Sequence, residues 1–193
     1  MKIVIATPIY LPEVGGPPIY IKELVARLKD IHDITIVALS DKGEEFPGSK
    51  LVRVQKSQSL LNRLWQFYRA VLQEAKDADV IYIQNAVAAG LPATLAARRL
   101  RVPTILKFVG DEAWERAYAD GRTTKLLVDF LQHPEGGLKT WVFRAIQRFV
   151  LKRVDILTTP SQYLGTAVVD SYQLDPKKLT INYNASPLPV PQT

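Results

Sequence analysis

The chain has 193 residues, 47% hydrophobic and 23% charged, with no cysteine and a formal net charge of +6. That size and apolar content suit one domain with a sizeable core and exclude a disordered chain, while the lack of thiols excludes disulfides and thiolate metal sites and fits a reducing cytoplasm. The basic charge points to an anionic partner (phosphates, acidic lipid headgroups or nucleic acid) or to a basic surface that only aids solubility.

The chain opens on an apolar segment that breaks at Pro8 and Pro12 and has no small-residue cleavage site, so it is not read as a signal peptide. No run of about 18 uncharged apolar residues follows that would form a membrane-spanning helix. Short apolar runs then alternate with longer amphipathic ones, the pattern of βαβ units around a parallel sheet. Strands are predicted at Lys2–Thr7, Asp33–Leu39, Leu51–Val54, Val80–Gln84, Thr104–Phe108, Ile156–Thr159 and Lys178–Asn182. They are short and almost continuously apolar, as strands covered on both faces are. Helices are predicted at Ile19–Leu28, with Ile21, Leu24, Val25 and Leu28 on one stripe, and at Leu60–Ala75, with Leu61, Leu64, Trp65, Tyr68, Val71 and Leu72 on another. Leu91–Leu100 and Ser161–Ser171 complete the set. Gly110 to Arg153 carries no strand signal, only a polar loop and two or three helices, a length of insertion that is more often functional than a plain crossover. The expected fold is α/β: a single Rossmann-like, doubly wound parallel sheet over residues 1–186. Pro187 to Pro191 reads as the start of an extended interdomain linker, residues 187–193.

Gly15 and Gly16 stand just before the first helix, with Pro17 or Pro18 suited to its first position. Paired glycines let a ligand approach the backbone, and a helix N-terminus offers free N–H groups to a phosphate; the same pair also serves a plain tight turn. Glu13 in this loop opposes an anion unless it turns away. Neither GxGxxG nor a P-loop is present. Asp111 is a candidate catalytic carboxylate after the fifth strand, or the N-cap of a helix starting at Glu112. Ser161, after Pro160, is either a ligand contact or the N-cap of the helix that follows. No Gly-x-Ser-x-Gly elbow surrounds it. His32 reads as structural, and His133 has no second ligand nearby, so no metal site is expected.

Taken in order, these segments resemble retaining family-four glycosyltransferases of the two-domain GT-B architecture. The likeness is carried by the strand followed by Pro12-x-x-Gly15-Gly16 and a helix with Tyr20 and Glu23-Leu24, then by His32-Asp33-Ile34-Thr35-Ile36-Val37. It continues in the aspartate-led strand Asp79–Gln84, in Val102-Pro103-Thr104-Ile105 with Val109-Gly110-Asp111, in Asp155–Ser161, and in Lys178–Asn184. The resemblance implies an N-terminal, acceptor-side domain of an enzyme that moves a sugar from a nucleotide-diphosphate sugar to a hydroxyl acceptor. It implies that Gly15 and Gly16 face the donor's diphosphate, with Gly110, Asp111, Glu112, Asn85, Ser161 and Asn184 around the substrates. No cofactor is expected on this domain alone; the nucleotide sugar is a substrate of the complete enzyme. Its expected partner is a C-terminal donor-binding domain, in the same chain or a separate subunit, without which it is expected to be inactive. Two departures stand out: Gly110-Asp111-Glu112 replaces the histidine that many relatives carry, and Asn184-Ala185 replaces Asn-Gly.

The segment Leu138–Arg153 carries Lys139, Arg144, Arg148, Lys152 and Arg153 without an acid, beside an apolar stripe of Trp141, Val142, Ala145, Ile146 and Phe149. It reads either as a helix that rests on an anionic bilayer or as a core helix with a solvated basic face. On the first reading Lys139, Arg144, Arg148 and Lys152 face lipid, the protein is cytoplasmic and peripheral to the membrane, and the acceptor is a sugar or lipid-linked sugar. A non-catalytic scaffold of the same fold is the alternative. Nucleic-acid binding lacks a recognised module, and no nucleic-acid partner is expected.

Overall fold

A computed structural model describes residues 1–43 and 45–184. The linker expected over 187–193, and Ala185, lie outside the described residues.

Seven short runs rich in Val, Ile and Leu become the strands of one sheet, because such side chains fit a pleated surface that is covered on both faces. These are β1 (Lys2–Thr7), β2 (Asp33–Leu39), β3 (Ser49–Val54), β4 (Val80–Ile83), β5 (Thr104–Lys107), β6 (Ile156–Thr159) and β7 (Leu179–Ile181). Every pairing is parallel, in the order β3-β2-β1-β4-β5-β6-β7. The chain winds outward from β1 to β3 on one side, then returns to β4 and winds outward the other way. The reversal falls between β1 and β4.

Successive side chains alternate between the two faces. Ile5, Ile34, Ile36 and Ala38 pack with Ile21 and Val25 of α1 (Gly16–Leu28) on one face. Val4, Ala6, Val37, Ile81, Ile83, Leu106 and Leu157 form the larger core on the other. That core takes Phe67 and Val71 of α2 (Leu60–Glu74), Ala93 and Ala96 of α3 (Gly90–Leu100), Val150 and Leu151 of α6 (Leu138–Leu151), and Val168 and Tyr172 of α7 (Gln162–Tyr172). Two short helices, α4 (Glu112–Ala119) and α5 (Leu127–Gln132), fill the strandless stretch before α6. The fold is the expected α/β Rossmann-like domain.

Local differences from the expected elements have local causes. β3 begins at Ser49, two residues before the predicted start, because Ser49 and Lys50 sit on an edge strand and keep polar side chains while pairing with β2. α1 begins at Gly16 with prolines in its first turn. On α2 the buried residues are Phe67 and Val71, whereas Leu61 and Trp65 of the predicted stripe are 80% and 58% exposed.

α6 departs most. Its inward face is polar: Thr140, Arg144 and Gln147 are buried with Val150 and Leu151. Trp141 and Val142 of its apolar stripe look outward, each 48% exposed, beside Leu138 at 83%, whereas Phe149 at the other end of the stripe packs against the core.

Candidate functional site

A cleft of about 650 Å³ opens where the strand order reverses. Its walls come from the loops that leave the carboxyl ends of the strands: Pro8 and Ile9 after β1, Gln84 and Asn85 after β4, Phe108 to Gly110 after β5, and Lys56 after β3. Glu112, Glu115 and Arg116 from α4, Arg63 from α2 and Lys107 at the end of β5 complete it. Open parallel sheets bind ligands at this switch point because the loops diverge there and leave a crevice.

Asn85 fixes the floor. Its Oδ1 accepts from the backbone N–H of Val87 (2.8 Å) and Ala88 (2.6 Å), while its Nδ2 donates to Glu112 Oε2 (2.9 Å). One side chain thereby ties the β4 loop to the start of α4. Gly90 makes this turn possible, since a Cβ there would lie 2.3 Å from the Asn85 carbonyl oxygen. Glu112 is held on its other side by Arg116 at 2.9 Å, and its backbone N–H donates to Gln147 Oε1 at 2.8 Å. Of the expected substrate-facing residues, the structure brings Asn85, Gly110 and Glu112 together on the cleft wall.

Asp111 lies elsewhere. Its carboxylate has no exposed surface; it caps α4 by accepting from Trp114 N–H (2.9 Å) and accepts a short hydrogen bond from the Tyr172 hydroxyl. Gln147 in turn donates to Tyr172. The catalytic expectation for Asp111 is corrected on this geometry: both oxygens are engaged in the interior and the side chain does not line the cleft. Burial, followed by the charge of Asp111, drives the Tyr172 hydroxyl far above its ordinary pKa. Tyr172 therefore acts as a neutral donor.

Ser161 accepts from Leu164 N–H at 3.2 Å as the N-cap of α7, and it is not among the cleft-lining residues. Gly15 is the N-cap of α1 and Gly16 its first residue, and Pro17 rather than either glycine lines the cleft. Gly15 has an extended backbone, φ 169° and ψ 169°, which other residues also adopt. The two glycines differ in their surroundings: nothing lies within 4 Å of a Cβ built on Gly16, whereas one on Gly15 would meet Ile9 Cδ1 at 2.8 Å. No side chain caps this end of α1. Glu13 is turned into an ion pair with Lys56.

Asn184 accepts from Lys107 Nζ at 2.8 Å. Lys107 is 7% exposed, and its ammonium lies 3.5 Å from the centre of the Tyr20 ring, which stacks on Tyr82. Burial lowers its pKa. Lys107, Arg63 and Glu115 are cleft residues that the sequence reading missed. The one available signal for Lys107 was a lysine ending an otherwise apolar central strand. Glu115 sits at the cleft mouth, where burial of its carboxyl, then the charges of Glu112 and Asp111, raise its pKa, against a smaller lowering by Arg116.

On α6 the structure separates the four cations expected to face a membrane. Arg144 is corrected to an interior residue: it is 9% exposed, donates to Ser171 Oγ at 3.0 Å and lies 4.8 Å from the Tyr172 ring. Lys139 pairs with Asp120 at 2.9 Å, Arg148 donates to Gln173, and Lys152 is exposed beyond the helix end. No helix among the described residues is long and apolar enough to cross a membrane.

A parallel sheet with its crevice at the β1/β4 reversal places this chain among the Rossmann-like domains that build GT-B folds. The glycosyl transferase 4-like domain family matches residues 15–185, and the chain belongs to it. Among solved structures it is similar to HepE of Anabaena in complex with UDP, with 15% identity and a TM-score of 0.68 over 96% of this chain and 44% of that one. It is also similar to UDP-GlcNAc 2-epimerases. The enzyme from Methanocaldococcus jannaschii gives 12% identity and a TM-score of 0.59 over 94% of this chain and 45% of that one. The Neisseria meningitidis enzyme bound to UDP-GlcNAc gives 13% and 0.59 over 94% and 45%. The chain thus spans less than half the length of these proteins. No curated protein matches it.

Proposed function

We propose that this chain is the N-terminal, acceptor-side domain of a retaining glycosyltransferase that uses a nucleotide-diphosphate sugar. The observation that carries this reading is the cleft at the switch point, walled by the loops after β1, β4 and β5. Family membership supports glycosyl transfer as the reaction class. The chain's share of the solved neighbours, 44% of HepE, supports a second domain as the donor's other wall.

On this reading the sugar acceptor lies on the floor formed by Asn85 and Glu112, whose mutual hydrogen bond fixes the position of both. The open, uncapped start of α1 at Gly15 and Gly16 meets the donor's diphosphate. Pro17 and Pro18 carry no N–H, so the Gly16 N–H is the first-turn amide left to donate to that diphosphate as charge develops on it. Glu115 at the cleft mouth approaches the transferred sugar. Its carboxylate oxygens would accept from a hydroxyl of that sugar.

The outward apolar stripe of α6 favours peripheral attachment to an anionic membrane. Leu138, Trp141 and Val142 are exposed there, flanked by Lys139, Arg148 and Lys152. Apolar side chains enter the headgroup boundary while flanking cations meet anionic lipid.

The test is transfer itself. The full-length protein that carries this domain is assayed with nucleotide-diphosphate sugars and sugar acceptors. Transfer with retained anomeric configuration, lost in Asn85→Ala, upholds the reading. Tight binding of another protein without transfer under any donor sinks it.

A further inference from the structure

We infer that α2, α3 and α6 together form one docking face for an anionic bilayer, with an apolar band at the cleft end of the domain and a cationic band behind it. This rests on the membrane reading of α6 and extends it to a three-helix surface with a defined tilt. The three helices cover the same face of the sheet, opposite α1, and α3 lies between α2 and α6. Each is followed by a short turn into the next strand, β4, β5 or β6, so all three point the same way. Their exposed residues repeat one layout. On α2, Leu61 and Trp65 are followed by Arg69. On α3, Leu95, 42% exposed, is followed by Arg98 and Arg99. On α6, Trp141, Val142 and Ala145 are followed by Arg148 and Lys152. Steps of three and four residues hold each series on one helical stripe. Because the helices are aligned, the apolar halves make one band and the cationic halves another.

Negative charge is nearly absent from this face. Glu74 is the one acid in the three helices, and it pairs with Lys50 at 2.7 Å. Among the described residues Arg69, Arg98, Arg99, Arg148 and Lys152 enter no ion pair. Nucleic acid would meet these cations and leave Leu61, Leu95 and Leu138 without a partner. A protein partner usually meets an apolar centre ringed by polar groups, whereas here the two characters form parallel bands across three helices. Bands of that kind match a planar boundary between hydrocarbon and phosphate. Apolar side chains enter the headgroup boundary and the cations behind them meet anionic lipid. Four residues of helix, the step from Trp65 to Arg69, rise about 6 Å, close to the depth of about 5–10 Å that interfacial helices reach. The domain therefore leans with the carboxyl ends of its strands towards the bilayer. The cleft opens at that end, so on the glycosyltransferase reading an acceptor held in lipid meets it at the surface.

The chain has no cysteine, so a single introduced cysteine carries a polarity-sensitive fluorophore at a chosen place. Leu61→Cys, Leu95→Cys and Val142→Cys report on the three helices, and Ile19→Cys, exposed on α1, reports on the opposite face. Each labelled chain is mixed with phosphatidylglycerol vesicles. Emission is expected to rise and shift to the blue at positions 61, 95 and 142 and to stay unchanged at position 19. In the unlabelled chain, Leu61→Ser with Trp65→Ser should weaken vesicle binding by about 10-fold. Arg98→Gln with Arg99→Gln should weaken it by about 10-fold or more at low ionic strength, and less as salt is added. All four side chains are exposed, so both variants should fold as the parent does. A response at position 142 alone overturns the three-helix face and spares the α6 reading. A response at position 19, or no binding to the vesicles, overturns both. Undiminished binding by the two double variants, or binding of polyglutamate or RNA in place of vesicles, also overturns the inference. None of these outcomes depends on sugar transfer, so failure here and failure of the transferase reading are distinguishable.

Discussion

Replacing Asp111 by alanine separates a structural carboxylate from a catalytic one. The substitution removes the acceptor for Trp114 N–H at the start of α4, a cap typically contributing about 1 kcal/mol. It also leaves the Tyr172 hydroxyl, in a residue only 1% exposed, without the oxygen it donates to. An unsatisfied buried donor costs about 1–3 kcal/mol. Together the loss is about 2–4 kcal/mol, or on the order of 5–15 °C in melting temperature for a domain of this size. Thermal and urea unfolding of the isolated chain measure it directly. Asp111→Asn keeps an oxygen for the cap but loses the charge facing Tyr172, so its cost should be smaller. Stability of Asp111→Ala within about 0.5 kcal/mol of the parent chain would refute the capping account and reopen a direct role in catalysis.

Four further outcomes follow from the geometry. Gly90→Ala brings a Cβ to 2.3 Å from the Asn85 carbonyl, so unfolding free energy should fall by about 2 kcal/mol or more. Gly110→Ala meets only the mobile end of Glu115, at 2.6 Å, and should cost less than about 0.5 kcal/mol while displacing that carboxyl from the cleft mouth, which crystallography of the variant would show. Because the folded-state pKa of Glu115 is raised, the folded chain holds that proton more tightly than the unfolded chain. Its contribution to stability is present below the unfolded value of 4.5 and is lost as pH rises from there through the folded pKa. Glu115→Gln should therefore flatten the decline of stability with pH above about 4.5, as read by urea unfolding across that range. For the membrane reading, the chain should co-sediment with phosphatidylglycerol vesicles and not with phosphatidylcholine ones. Trp141→Ser with Val142→Ser should abolish this; equal binding by the double variant would sink it.

The fold was legible because every strand is a compact apolar run between amphipathic segments, and the one long stretch without a strand signal became three helices. What escaped the sequence were faces rather than elements. On α6 the spacing of Trp141, Val142, Ala145, Ile146 and Phe149 marks a stripe but not its direction. The interior offers Tyr172, Ser171 and the Glu112 amide, polar groups that need partners, so Gln147 and Arg144 turn inward and Trp141 and Val142 are left facing out. On α2 the burial of Phe67 beside Val71 follows from where the helix meets β1 to β3, which spacing along one helix does not encode. At the site, the resemblance named Asn85, Gly110 and Glu112, and the structure brings these three onto one cleft wall. Lys107 and Glu115 were missed because their importance lies in a missing counter-ion and in crowded carboxylates, both products of tertiary packing. Asp111 carried both readings in the sequence, and only the Tyr172 hydroxyl, 61 residues away, decided between them.

The most direct test of the central claim is a residue-resolved NMR titration of this chain with a nucleotide-diphosphate sugar. The account predicts amide shifts confined to the rim of the sheet, at Gly15, Gly16, Asn85, Lys107 and Gly110. Shifts concentrated instead in the groove between α5 and α7, around Leu131, Tyr163 and Asp170, would contradict it.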